Sequence, residues 1–244
     1  MIPNMYCTYD ILRYKNSSLF QLLNYIEGHG IIAGGYAKFL SDPNEPKYKP
    51  SDIDVWPLSK SEYECTCNYF SILKNVEEHG FIKYFESDMS INYKVPDEYD
   101  LGCKCLQVIK PSKFLFDTPI ELFDTFDISV AMVSLVIDNG NVYGYMHRET
   151  FTHLENMVCT ISNISNPLLA LVRMQKYQNQ GYKFFINDLM KVIINIHSNP
   201  GQVDAMRDIA NKEENKGMSN SDLYKLWYSI KTVQHNKKSD DLPF

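Results

Sequence analysis

The chain has 244 residues, of which 44% are hydrophobic and 22% are charged. This apolar content excludes a disordered protein, and the length is sufficient to bury a sizeable core. The formal net charge of −6 argues against binding to extended double-stranded nucleic acid, because phosphate binding needs clustered Lys and Arg. The sequence shows neither a signal peptide nor an apolar run of membrane-spanning length, so we expect a cytoplasmic protein with no membrane partner.

Six cysteines are present, and in the cytoplasm we expect them to be reduced thiols. Two Cys-x-Cys pairs, Cys65/Cys67 and Cys103/Cys105, raise zinc binding as an alternative. Structural zinc sites usually have the wider Cys-x-x-Cys spacing, and here one pair falls in a helical pattern and the other in a strand pattern. We therefore favour core or surface thiols over a zinc site.

The first predicted elements are a helix, a strand and a helical turn. Apolar residues recur with helical spacing from Leu19 to Ile26, after a Ser18-to-Gln21 capping box. An apolar strand is predicted at residues 30–33, followed by Gly34-Gly35 and a helical turn at residues 36–40. Residues 41–50 contain three prolines and are predicted to form a surface loop.

The middle of the chain is rich in predicted strands. The run Ile53-Asp54-Val55-Trp56 has strand character and ends at Pro57. A capping box from Ser59 to Glu62 predicts the start of a helix that ends near Gly80. Further strands are predicted at residues 81–86, 90–95, 104–110 and 126–137, and the last of these forms a hairpin with 142–146.

From residue 148 onward the pattern is helical. Asn166-Pro167 has the features of a helix start, and Gly181 those of a stop. Residues 184–197 are strongly apolar and are predicted to form a buried helix, while 203–212 and 221–233 are predicted to form more polar helices. We therefore predict an α+β fold: a mixed, partly antiparallel sheet flanked by helices over residues 1–147, with a small helical region, residues 148–244, packed on it.

Two acids stand out within the strand after the loop. Side chains at positions i and i+2 of a strand share one face and lie about 6–7 Å apart, so Asp52 and Asp54 are predicted to point to the same side. Paired carboxylates suit hard divalent cations such as Mg²⁺ or Mn²⁺. A site for two ions usually needs a third carboxylate, and we predict Asp127, since an acid inside an apolar strand requires a partner. Asp124 is the alternative and lies nearer to a loop.

Gly34-Gly35, placed between a strand and a helical turn, permits close approach of the backbone to a triphosphate. The same pair is also compatible with an ordinary tight turn. Its connection to Asp-x-Asp by a single loop favours the phosphate-binding interpretation.

These motifs resemble the signature of the polymerase-beta-like nucleotidyltransferase superfamily, in particular the heads of tRNA nucleotidyltransferases and poly(A) polymerases and their phage- or virus-encoded relatives. The resemblance implies a nucleotidyltransferase sheet in residues 1–147, with a nucleoside triphosphate as substrate. It also implies that Asp52, Asp54 and Asp127 are catalytic residues holding two magnesium or manganese ions. Gly34, Gly35 and Ser51 would contact the triphosphate, and Lys38, in the helical turn, is a further candidate nucleotide-binding residue.

Three residues of the predicted helix after Asn166 extend the resemblance. Arg173, Lys176 and Tyr177 are spaced i, i+3 and i+4 and so share a helix face. Two cations and an aromatic ring there would contact phosphates and stack a base, although such a face is equally typical of solvent exposure.

Two functional hypotheses follow from the sequence. The first is a metal-dependent nucleotidyltransferase that moves a nucleoside monophosphate to a hydroxyl of an RNA end, a protein or a small molecule and releases pyrophosphate. The second is a catalytically inactive binding or assembly protein with the same fold. A third carboxylate in an apolar run favours the enzyme, while the acidic balance leaves the acceptor open.

Overall fold

A computed structural model describes residues 6–10, 17–44, 48–111, 115–138, 141–164 and 166–198, together with residues 201, 204, 207, 208, 211 and 212. At residues 6–10, 17, 136–138 and 141 the description is limited to the backbone. Contacts divide the chain into two compact units, Met1–Asn163 and Ile164–Phe244.

One eight-stranded sheet organises the first unit. Its strands are β1 (Tyr6–Asp10), β2 (Gly30–Ala33), β3 (Asp52–Pro57), β4 (Ile82–Glu86), β5 (Ser90–Lys94), β6 (Cys105–Ile109), β7 (Val133–Asp138) and β8 (Asn141–His147). The spatial order is β1-β8-β7-β2-β3-β6-β5-β4. Only β3 and β6 pair in parallel, and the other neighbours are antiparallel. The predicted α+β fold with a mixed, partly antiparallel sheet is therefore confirmed.

The described residues of the same unit also form five helices and a short strand. They are α1 (Ser17–Ile26), α2 (Gly35–Ser41), α3 (Glu62–Glu78), α4 (Pro119–Phe123), α5 (Arg148–Glu155) and β9 (Val158–Cys159). The helix α3 begins two residues later than predicted, because its N-cap is Ser61 and not Ser59: the Ser61 hydroxyl accepts a hydrogen bond from the N–H of Glu64. Ser59 instead donates its hydroxyl to the carbonyl of Ser61.

The helices α1 and α3 contact each other and pack against β2 and β3. Ile53 and Val55 of β3 are fully buried, as are Leu22 of α1 and Ile72 of α3. A second apolar cluster lies around Ile31, Ala33, Phe116 and Leu122, and Trp56, Leu58 and Phe126 pack against it. Because Trp56 alternates with Ile53 and Val55 along β3, the sheet is covered by apolar side chains on both faces at this end of the strand.

The strand predicted at residues 126–137 is wrong in its first half. Ile128 forms an isolated bridge with Ile161, residues Ser129–Ala131 form a 3₁₀ turn, and β7 begins only at Val133. The backbone of residues 127–129 hydrogen bonds to residues 160–162 instead of joining the main sheet. Asp127 therefore lies just before the 3₁₀ turn and not inside a strand.

The second unit contains α6 (Pro167–Asn179), β10 (Lys183–Phe184) and α7 (Ile186–His197). As predicted, the Asn166 side chain caps α6 and Pro167 occupies its first turn. The expectation that residues 184–197 are buried is wrong, because the side chains of Phe185, Ile186 and Ile194 are more than half exposed. The apolar composition of this segment therefore does not mean that its side chains are buried.

Two predicted helices fall largely outside the described residues: the one at 221–233 does so completely, and the one at 203–212 is described only in part. None of the helices in the described part of the chain has the length and apolar character required to span a bilayer.

Candidate active site

The strand β3 positions the two acids that the sequence singled out. Along this strand half-exposed and buried residues alternate, so Asp52 and Asp54 share the more open face while Ile53 and Val55 are buried on the other. Ser51, directly before the strand, is exposed and donates its hydroxyl to Asp52 Oδ1 at 3.0 Å. The alternation expected from the sequence is thus observed.

Gly34 lies beside the second acid. Its backbone has φ 94° and ψ −140°, a conformation that side-chain-bearing residues rarely adopt. A Cβ atom built on Gly34 would lie 3.5 Å from Asp54 Oδ2 and 4.0 Å from Phe126 Cε2. Gly34, which we call the glycine hinge because the chain changes direction there from β2 to α2, is therefore a neighbour of the Asp54 carboxylate in space, although 20 positions separate the two residues in the sequence.

The two glycines contribute in different ways. The N–H of Gly34 donates to the carbonyl of Val133 at 2.9 Å, so a contact from Gly34 to phosphate would come from close approach to Cα and not from this N–H. Gly35 is the first residue of α2, and a Cβ atom built on it would meet nothing within 4 Å. Open space in front of Gly35 is compatible with the predicted contact to a triphosphate.

The neighbouring strand adds residues that sequence reasoning missed. In the parallel pairing of β3 with β6, Cys105 lies opposite Asp52 and Gln107 opposite Asp54. The hydroxyl of Tyr84, on β4, donates to Cys105 Sγ at 3.2 Å. Alternation in the predicted strand at residues 104–110 pairs Cys105 with Gln107, but nothing in the sequence states that this strand lies beside the acids.

The two carboxylates create a negative local potential. Burial raises the pKa of the Cys105 thiol, and the charges of Asp52 and Asp54 raise it further. Burial likewise raises the pKa of Cys103 to about 12, with smaller contributions from the same two acids. A negative potential of this kind at a half-exposed sheet face attracts cations.

Asp127 is buried, with 8% of its surface exposed, and follows Phe126, whose ring packs against Trp56 at a centroid distance of 5.7 Å. This segment thus runs close to the Gly34 hinge, whereas Asp124 is exposed at the end of α4. Within the described residues, no three His, Cys, Asp or Glu side chains are grouped so as to hold a metal ion. Two carboxylates fit a hard divalent ion, and the third ligand stays a prediction.

Lys38 is placed differently from an exposed phosphate-binding residue. It is 5% exposed, and its ammonium group forms an ion pair with Asp42 at 3.3 Å, one turn further along the chain. Asp42 also accepts a hydrogen bond from the N–H of Asn44. The Lys38 side chain therefore has a structural role at the end of α2, and its contact with nucleotide stays a prediction.

The three candidates on α6 do not share one environment. Arg173 and Lys176 are exposed, whereas Tyr177 is 5% exposed and packs edge-on against Tyr182 at a centroid distance of 5.9 Å. The expectation that all three side chains form one accessible face is wrong for Tyr177, because its ring belongs to the packing of the second unit.

Comparison with solved structures identifies the class of fold. A CCA-adding enzyme in complex with CTP matches over 95% of this chain with a TM-score of 0.56 at 9% identity. The Thermotoga maritima CCA-adding enzyme bound to tRNA matches over 80% with a TM-score of 0.54 at 10% identity. A tRNA nucleotidyltransferase bound to a primer tRNA and an ATP analogue matches over 88% with a TM-score of 0.53 at 12% identity. The chain therefore has a nucleotidyltransferase-like fold.

These structures belong to larger proteins, since the matched part spans 56%, 46% and 61% of the three solved chains, respectively. Among proteins with curated functions, the sequence finds no match. A family model described as "Gabija anti-defense 2 family protein" matches residues 8–157, which is more than half of the chain. The protein belongs to this family.

Proposed function

We propose that this protein is a metal-dependent nucleotidyltransferase that moves a nucleoside monophosphate from a nucleoside triphosphate to an acceptor hydroxyl. One observation carries the proposal: the Gly34 hinge lies against the Asp54 carboxylate, and Asp52 shares the same open face of β3. A site for a triphosphate and a site for a cation thereby meet at one point of the sheet.

Each residue has a defined part in this proposal. Asp52 and Asp54 hold magnesium or manganese, with Asp127 as the candidate third carboxylate. When bound, the ions neutralise charge on the triphosphate and favour attack at the α-phosphorus. The absence of a side chain at Gly34 and Gly35 admits the phosphates to the sheet face. Ser51 orients Asp52 by donating to its carboxylate.

The acceptor is an RNA end, a protein hydroxyl or a small molecule, and we propose that the reaction takes place in the cytoplasm, that of the host if the protein is viral. The tRNA bound by two of the structurally similar proteins makes an RNA end one candidate. Arg173 and Lys176, exposed on α6, are candidates for contacting phosphates of the nucleotide or of the acceptor. Tyr177 would stack on a base only after its packing against Tyr182 is broken.

The test is transfer of label from α-³²P-labelled triphosphates in the presence of Mg²⁺ or Mn²⁺, with RNA, the protein itself and a cell lysate as acceptors. The double variant Asp52→Asn/Asp54→Asn should lose transfer. Asp88→Asn, the same change at an exposed position in the β4–β5 turn, should retain it. No transfer by the wild-type protein together with no metal-dependent triphosphate binding would refute the proposal.

A second candidate is a catalytically inactive binding protein. It is favoured by the lack of a three-acid group among the described residues and by the family description, which names an anti-defense role. In this case the protein would act on the Gabija defence by binding and not by nucleotide transfer. A defence-inhibition assay separates the two, because a binding protein keeps its effect in the Asp52→Asn/Asp54→Asn variant, whereas the enzyme loses it.

A further inference from the structure

The strand next to the acids contains an amide where a third acid would fit. Gln107 is the register partner of Asp54 in the parallel pair β3–β6, and neighbouring strands in a sheet are about 4.8 Å apart. Gln107 is half-buried and alternates with the buried Leu106 and Val108, so it lies on the same face as Asp54. Its side chain is thus directly beside the carboxylate that flanks the glycine hinge.

The Gln107 amide is held in one orientation. Its Nε2 group donates to Ser90 Oγ at 3.0 Å and to Asn92 Oδ1 at 3.0 Å, both on β5. Ser90 Oγ in turn donates to Asn92 Oδ1 at 3.2 Å, which joins the three side chains into a network. Because both amide hydrogens are directed to β5, rotation that would exchange the nitrogen and the oxygen is disfavoured.

This orientation defines what Gln107 offers to the site. The strand β6 lies between β5 and β3, and both hydrogen bonds of the amide nitrogen go to residues of β5. Its oxygen, Oε1, accepts no hydrogen bond from the described residues. An amide oxygen is a neutral ligand that hard divalent ions accept alongside carboxylates.

The geometry points to Gln107 Oε1 as a neutral oxygen ligand for the divalent ion that Asp52 and Asp54 hold, an inference that rests on the proposed function. A neutral ligand here leaves the face of β3 and β6 with two negative charges and not three. The ion is then bound weakly by the protein alone, and the phosphates of the nucleotide supply the remaining charge. Gln107 would thereby make metal binding depend on the triphosphate.

The experiment measures Mn²⁺ affinity of the purified full chain by electron paramagnetic resonance, without nucleotide. Gln107→Glu adds a carboxylate beside Asp54 and should tighten Mn²⁺ binding by about tenfold or more, because one unit charge is added within a few ångströms of the cation. Gln107→Leu removes the oxygen and should weaken binding. The matched control is Gln21→Glu, the same change on the exposed side of α1, which should leave affinity unchanged.

Thermal unfolding of each variant separates a ligand from a purely structural residue. Loss of the network with Ser90 and Asn92 lowers the melting temperature in Gln107→Leu whichever role Gln107 has. The added charge of Gln107→Glu tightens Mn²⁺ binding in either case. The ligand role is therefore judged on Gln107→Leu, measured at a temperature where this variant is folded, because loss of a ligand oxygen weakens its Mn²⁺ binding. If the wild type binds Mn²⁺ through Asp52 and Asp54 and folded Gln107→Leu stays within about twofold of its affinity, this inference is wrong and the proposed function stands. If Asp52→Asn/Asp54→Asn binds Mn²⁺ as tightly as the wild type does, both fail. If even Gln107→Glu shows no Mn²⁺ binding, the inference is wrong and the proposed function is decided by the label-transfer assay.

Discussion

Replacing Gly34 with alanine tests the glycine hinge. The residue has φ 94° and ψ −140°, where alanine is strained by about 1–3 kcal/mol. The new methyl group would lie 3.5 Å from Asp54 Oδ2, an ordinary van der Waals distance, so the cost comes from the backbone and not from a clash. In a protein of this size that energy corresponds to a fall in melting temperature of about 2–12 °C.

The same substitution at the next residue provides a control, because it is expected to raise the stability of the protein and not to lower it. Gly35 lies in the first turn of α2, its φ is not positive, and an added Cβ meets nothing within 4 Å. Gly35→Ala should therefore stabilise the protein by up to about 1 kcal/mol through the higher helix propensity of alanine. Both variants are compared by urea and thermal denaturation followed by circular dichroism. Equal stability of the two variants would contradict the backbone geometry assigned to Gly34.

Two further predictions concern charges near the site. Lys38→Met should destabilise the protein by about 3–5 kcal/mol in urea unfolding, because it removes the ammonium group that forms an ion pair with the buried Asp42 carboxylate. A loss of nucleotide affinity with unchanged stability would instead assign Lys38 to phosphate binding. Asp52→Asn/Asp54→Asn should lower the pKa of the Cys105 thiol, since both carboxylates raise it, and so increase its rate of alkylation by iodoacetamide at pH 8. An unchanged rate at residue 105, read by peptide mass spectrometry, would show that the acids do not act on this thiol.

Local sequence patterns predict the part of the site that depends on one strand. Asp52 and Asp54 face the same way because strand side chains alternate, and this follows from the residues alone. The sequence also connects Gly34-Gly35 to Asp-x-Asp through residues 36–50, which favours a shared site. The structure brings Gly34 beside Asp54 because β2 and β3 are antiparallel neighbours.

Features that depend on long-range packing were not predicted. The position of Gln107 opposite Asp54 results from pairing across α3 and a hairpin, which the alternation of a single strand does not specify. Asp127 lies in an apolar run typical of a strand, yet the backbone there bonds to residues 160–162. Lys38 has the charge expected of a phosphate ligand, but its burial with Asp42 is a tertiary effect.

The most direct test of the account is a crystal structure of the protein with Mn²⁺ and a non-hydrolysable triphosphate analogue, with anomalous scattering used to locate manganese. We predict a manganese peak coordinated by Asp52 and Asp54, with the triphosphate against Gly34 and Gly35. A bound triphosphate elsewhere on the chain, or no manganese at these two carboxylates under conditions where the analogue is bound, would contradict it.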